Sequence, residues 1–241
     1  MINGKHRFAF FASWGVAEKG DQHIFSMQDE VLSKRIFSIL RMTKGDEIVL
    51  FDCKHSAHVI LEEVSKKEVL YRIISLTTIE SIQPHLICLL PLLKQEALEQ
   101  AITRLSVLGA FQIQLVVSEK SRQSVTQKEI DRLKKMIIAA AEQSKQFAMP
   151  ELLSPKSLKE SLDATKGKHL FLFDQYGESS RSILQKKYAE TIVVAFGPEG
   201  DFTDSEKQLF TSCAFQSLAL TDSVLRTIDA VLLGVGLLRL S

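Results

Sequence analysis

Glu190-Thr-Ile-Val-Val-Ala-Phe-Gly-Pro-Glu-Gly-Asp-Phe-Thr203 is the stretch on which the fold turns. Residues 192–196 form an unbroken apolar run, as expected of a strand covered on both faces. Gly197-Pro198-Glu199-Gly200 ends it, and Thr203 with Glu206 three residues on is a capping-box pattern opening a helix. Glycines between a buried strand and a helix N-terminus let a ligand approach the backbone closely. A second loop follows in Ser217-Leu-Ala-Leu-Thr-Asp-Ser-Val-Leu-Arg-Thr-Ile-Asp229, where Val224-Leu225-Arg226-Thr227 stands ahead of an apolar C-terminal helix. The pair is far more specific than either loop alone.

Working outward, apolar strand-like runs at 86–92, 113–117, 169–173, 192–196 and 217–220 alternate with helical patterns at 95–108, 126–143, 158–164, from 204 and from 229. Such alternation predicts an α/β unit with a mainly parallel sheet and helices on both faces. The N-terminal region differs. One amphipathic helix is expected over 28–42, with Val31, Leu32, Arg35, Ile36, Ile39 and Leu40 at helical spacing, before short strands at 48–51, 58–64 and 69–75. Short strands punctuated by turns suit a small barrel. Polar residues and a proline over 77–84 read as a linker, which divides the chain into domains 1–76 and 77–241.

Composition is that of an ordinary globular protein, and the net charge of +1 gives no global sign of a nucleic-acid partner. Any RNA contact must therefore be local; residues 120–145, with seven Lys/Arg, carry a mild basic bias. Cys53, Cys88 and Cys213 are too few and too scattered for a disulfide framework, which fits a reducing cytoplasm. The apolar residues after Lys5-His6-Arg7 resemble a signal peptide, but Trp14-Gly15 interrupts them and no small-x-small cleavage pattern follows. No run approaches the roughly 20 apolar residues of a membrane span. Cys53-x-His55-x2-His58 has no partner cluster to complete a four-ligand site and reads as a surface hairpin. Trp14 and the Phe8-x-Phe10-Phe11 cluster read as barrel core in preference to base-stacking platforms.

Together with Ala139-Ala-Ala-Glu-Gln-Ser144 and Pro150, the two C-terminal loops resemble the knotted (SPOUT) methyltransferases, nearest to the bacterial family that methylates N3 of a uridine in 16S ribosomal RNA. His6-Arg-Phe-Ala-Phe-Phe11, Ile39-Leu-Arg-Met-Thr-Lys-Gly-Asp46 and Ile48-Val-Leu-Phe-Asp52 resemble that family's PUA-like RNA-binding barrel. The resemblance implies a trefoil knot, S-adenosylmethionine as methyl donor, a homodimer, 16S ribosomal RNA of the small subunit as partner, and no metal. It implies donor contacts at Phe173, Gly197, Pro198, Glu199, Gly200, Leu220, Ser223, Leu225, Arg226 and Thr227. RNA contacts are expected at Arg7, Arg35, Arg41 and Lys44, which could line one face of the barrel, and at Lys145 in the basic segment 120–145.

Arg226 is the catalytic candidate. Uridine N3 becomes a nucleophile only after losing its proton, and a guanidinium beside O2 or O4 would stabilise the anion. Its rival role is an ion pair at a dimer interface. The chain departs from the family pattern at Val107 (usually Glu), Lys145-Gln146 (Gly-Arg), Ile228 (acidic), Asp201 (Gly), Arg35 (His) and Arg104 (Lys). Of these, Val107, Gln146 and Ile228 leave a catalytically silent RNA- or ribosome-binding dimer as the rival to an active methyltransferase.

Overall fold

The computed structural model describes residues 7–12, 18–19, 24–165, 169–181 and 186–240, so His6 and Trp14 lie outside the described residues. It divides into two compact units, with the boundary between Glu80 and Ser81.

The N-terminal unit is a six-stranded sheet built from β1 (Ala9–Phe11), β2 (Glu18–Lys19), β3 (Ile24–Met27), β4 (Glu47–Phe51), β5 (His55–Val64) and β6 (Val69–Thr78). Their spatial order is β1-β4-β5-β6-β3-β2, with β1 parallel to β4 and the other pairs antiparallel. Alternation builds its core: Ala57, Val59 and Leu61 of β5 are fully buried, while the residues between them face partly outward. Phe10 is also fully buried, whereas Phe8 is exposed.

The helix expected over 28–42 is shorter and irregular. α1 (Glu30–Lys34) is capped by the Asp29 carboxylate, which accepts from the Leu32 N–H at 2.9 Å. It runs directly into a π-helical turn at Arg35–Ile39, where the Leu40 N–H reaches the Arg35 carbonyl five residues back. The wider turn breaks the 3.6-residue stripe. Leu32 and Ile36 are buried, while Val31 and Ile39, expected on the same face, stand in solvent.

The C-terminal unit carries a second six-stranded sheet, wholly parallel: β7 (Leu86–Pro91), β8 (Gln112–Val117), β9 (Glu151–Ser157), β10 (His169–Ser179), β11 (Ile192–Phe196) and β12 (Gln216–Ala219), in the order β12-β10-β11-β7-β8-β9. Between the strands run α2 (Gln95–Val107), α3 (Gln127–Ser144), α4 (Leu158–Ala164) and α5 (Asp204–Ser212), and α6 (Thr227–Leu240) follows β12. The apolar run at 192–196 is explained by two faces. Ile192, Val194 and Phe196 join the core that includes Leu98, Ile137 and Val235 of α2, α3 and α6, while Val193 and Ala195 join Leu162 and Phe210 of α4 and α5. Among the described residues no helix is long and apolar enough to cross a membrane.

Candidate functional site

The parallel sheet directs the C-terminal ends of β10, β11 and β12 to one edge, and the loops leaving them enclose a cavity of about 400 Å3. From the end of β11 come Gly197, Pro198, Glu199, Gly200 and Asp201; from the loop after β12 come Leu220, Ser223, Val224 and Leu225; α6 gives Thr227, and β10 gives Phe173 and Asp174. A volume in the roughly 300–1,000 Å3 range suits a small-molecule site. Of the ten donor-contact candidates, nine line this cavity, and Arg226 lines its neighbour.

Specific contacts fix the loops. The Thr227 hydroxyl donates to the Gly197 carbonyl at 2.7 Å, tying the start of α6 to the end of β11. The Lys120 ammonium donates to the Gly200 carbonyl at 2.9 Å. β10 shifts register against β12 between Phe173 and Glu178, a bulge that brings Asp174 to the cavity wall. The Asp174 carboxylate, only 7% exposed, meets the Lys207 ammonium at 2.7 Å and accepts from the Tyr176 N–H at 2.9 Å. Lys207 also holds Asp201 at 2.8 Å. Burial alone would pull the Lys207 pKa down; the two carboxylates outweigh it and hold the ammonium above its usual range.

Asp201 sits where the resembled family has glycine, with φ at 58°, in the left-handed region. Aspartate is among the few residues that visit that region readily. Its side chain accepts from the Phe202 N–H at 2.8 Å, and its other oxygen takes the Lys207 contact. The lost glycine is thus replaced by an Asp174–Lys207–Asp201 clasp across one end of the cavity.

Beside this cavity lies a second, of about 410 Å3, which shares Glu199 and Thr227 with it and adds Lys94, Ala97, Arg226 and Ile228. Arg226 is exposed, with its guanidinium 3.5 Å from Asp229; Lys94, equally exposed, lies 3.4 Å from Glu199. Lys94, Asp174 and Lys207 escaped the sequence reading. Each is an ordinary charged residue, Lys94 ahead of α2, Asp174 within β10 and Lys207 within α5, and only the fold brings them to one edge.

The RNA-contact candidates are less uniform. Arg7 is mostly buried and bound to Glu47 at 2.6 Å, which leaves little guanidinium surface for a phosphate. Arg7 and then His58 hold the Glu47 carboxyl below its usual range. Arg35 lies 5.0 Å over the Phe10 ring, and Lys44 pairs with Glu62 at 3.3 Å. Arg41 and Lys145 are exposed residues in the left-handed region, closing the π-helical segment and α3. Of the departures, Ile228 lines the second cavity, Val107 is half-exposed at the end of α2, and the Gln146 side chain accepts from the Ala148 N–H at 3.1 Å. Among the described residues no three His, Cys, Asp or Glu side chains gather as a metal site.

A family model for the RNA methyltransferase domain matches residues 80–239, and a model for the RNA methyltransferase PUA domain matches residues 36–74. A curated relative from Synechocystis sp., a ribosomal RNA small subunit methyltransferase E, is 24% identical over 209 residues, covering 80% of this chain and 65% of its own. A second of that name, from Rickettsia conorii, is 28% identical over 155 residues and is covered to 62%, as is this chain. The matched regions thus span about three-fifths of those relatives' length. A methyltransferase from Legionella pneumophila, solved with its cofactor SAM bound, superposes with a TM-score of 0.82 at 22% identity over 98% of both chains. A ribosomal RNA small subunit methyltransferase E from Neisseria gonorrhoeae, solved with S-adenosyl methionine, gives 0.80 at 23% identity over 96% of both. These likenesses establish the fold.

Proposed function

Because the chain belongs to the RNA methyltransferase family, with that family's PUA domain as well as its RNA methyltransferase domain, we propose that it transfers the methyl group of S-adenosylmethionine to N3 of a uridine in 16S ribosomal RNA. The carrying observation is the pair of adjoining cavities at the sheet's C-terminal edge, one wide enough for the donor and the other open beside it. The names of the curated relatives support the substrate class, and the bound ligands of the two structural neighbours support the donor.

The chemistry of the first cavity fits such a donor. Phe173, Leu220, Val224 and Leu225 offer apolar walls to an adenine and the carbon chains around a sulfonium, while Glu199, and the Asp174–Asp201 pair that Lys207 offsets only in part, set acidic charge near the donor's cations. When bound, the donor supplies an electrophilic methyl. The rest is positioning: the Thr227–Gly197 bond fixes two loops against each other, and Arg226 stands at the neighbouring cavity where an anionic base would be stabilised. The protein acts in the cytoplasm, as a homodimer, on this reading; the exposed Leu232 and Leu233 of α6 support self-association.

A second reading, a silent RNA-binding relative, is favoured by Ile228 in the second cavity, where the resembled family carries an acid. One assay separates them. Labelled methyl transfer onto small ribosomal subunits from a strain lacking this gene should give stoichiometric N3-methyluridine, and Arg226→Ala should abolish transfer while sparing donor binding. Subunits left unlabelled by the wild-type protein would establish the silent reading.

A further inference from the structure

Among the described residues Glu199 is the one acid that borders both cavities, and its neighbours match the edge of a uracil. The imide edge presents an acceptor, a donor and an acceptor: O2, N3–H and O4. Its complement is a donor, an acceptor and a donor. The second cavity supplies two cationic donors, Lys94 and Arg226, and the Glu199 carboxylate as acceptor. They reach the cavity from three different chain segments. Lys94 follows β7, Glu199 follows β11 and Arg226 follows β12, and β11 lies between β7 and the β10–β12 side of the sheet. Ala97 and Ile228 add apolar surface for the ring, which a phosphate would not need.

We propose that the second cavity is the acceptor-base site, in which Lys94, Glu199 and Arg226 read the uracil imide edge and Glu199 takes the N3 proton. The inference rests on the methyl-transfer reading above. Glu199 accepts the N3 proton, leaving a lone pair on N3 and negative charge shared with O2 and O4. That lone pair then forms the nitrogen–carbon bond as the methyl–sulfur bond breaks, its electrons remaining on a neutral thioether. The Glu199 proton returns to solvent.

Electrostatics favour this arrangement. Proton transfer moves one negative charge from Glu199 to the base between the same two cations, so the site gains no net charge. A protonated Glu199 also loosens its hold on Lys94, freeing that ammonium for the anionic oxygen. Both existing ion pairs are solvent-exposed and long, at 3.4 and 3.5 Å, and such pairs hold their partners weakly. The Glu199 side chain is 47% exposed, which gives the protonated carboxyl room to turn off the line of methyl approach. The charged groups around it are Lys94, Arg226 with its partner Asp229, and Glu96 on the acceptor side, and Asp174 and Asp201 on the donor side, where the single Lys207 offsets one of the two charges. A cytosine, whose N3 carries no proton and whose N4 amino group is a donor, meets the wrong partner at two of the three positions.

The test measures kcat against pH at saturating donor, on unmethylated small subunits, for wild type, Glu199→Gln, Lys94→Met and Lys94→Arg, with thermal melts to verify folding. Glu199→Gln should lose about a hundredfold in kcat near neutrality, of the size general-base catalysis supplies, and recover with unit slope as alkali removes the N3 proton. Lys94→Met should lose about tenfold, and Lys94→Arg should restore most of it. If wild type transfers methyl but Glu199→Gln keeps its kcat and pH profile, the inference fails and the methyl-transfer reading survives. A rise in KM alone, for donor in Glu199→Gln or for RNA in Lys94→Met, would also overturn it by assigning these residues to donor or phosphate binding. No transfer by wild type overturns both readings together.

Discussion

Gly234 of α6 abuts, from behind, the wall of the cavity proposed for the donor. A Cβ built there would lie 2.3 Å from the Phe173 ring, which packs on Phe196 at 5.6 Å and forms the cavity wall. Gly234→Ala gains about 1 kcal/mol of helix propensity, but overpacking a filled core costs about 1–3 kcal/mol. The ring can yield toward the cavity, so the variant should melt lower and bind S-adenosylhomocysteine at least tenfold more weakly by calorimetry. Unchanged affinity with an unchanged melting temperature would place the donor elsewhere. In the sequence Gly234, with Gly236, reads as permitting close backbone approach at a helix–helix contact; what Gly234 makes room for is the Phe173 ring of β10, 61 residues earlier. Gly197 to Gly200 were legible as a turn after a buried strand, and as cavity-lining residues only through the second loop and the family resemblance. Lys94 was not, since an exposed lysine ahead of a helix has no signature until the strand order sets it beside Glu199.

At the level of elements, those whose signal is local were read well and those stabilised by neighbours were not. α3 and α4 carry complete capping boxes, Thr126 with Glu129 and Ser157 with Glu160, and their starts were found to within a residue. β9 went unread because Pro155 argues against a strand; as an edge strand it forgoes that N–H without loss. β10 runs past its expected end at Phe173 because a bulge lets it rejoin β12 at Glu178. The α3 box also predicts an acid-sensitive element. The Thr126 N–H, then Arg122, hold the Glu129 carboxyl down to about 2 from 4.5. A depressed carboxylate contributes stability fully above its unfolded value and loses it as pH falls through the folded one. Wild type should therefore exceed Glu129→Gln in denaturant midpoint at pH 5, and the gap should close as the pH approaches 2. A gap that stayed constant over that range would show that the charge on Glu129 adds nothing to the cap.

Over the whole chain, charge and apolar surface make different demands. With a net charge of +1, and with Arg7 bound to Glu47 and Lys44 to Glu62, the protein has no overall charge with which to attract RNA at long range. RNA affinity then depends on bringing several local contacts to bear at once, which two copies of one chain do better than one. The apolar surface points the same way. α6 packs Val231, Val235 and Leu238 inward, yet leaves Leu232, Leu233 and Leu240 exposed on a helix otherwise suited to burial on more than one side. Contiguous exposed apolar residues mark an interaction surface, and on a family expected to dimerise the fitting partner is a second copy. The wild-type protein should sediment at twice its 27.1 kDa chain mass at micromolar concentration. Leu232→Glu with Leu233→Glu should yield a folded monomer, because neither side chain fills the protomer's core and a buried, unpaired carboxylate is costly at an interface. Methyl transfer should fall with the dimer while the far-ultraviolet dichroism stays native. A wild-type monomer, or a double variant that still sediments as a dimer, would rule out α6 as the interface and leave its leucines to another partner.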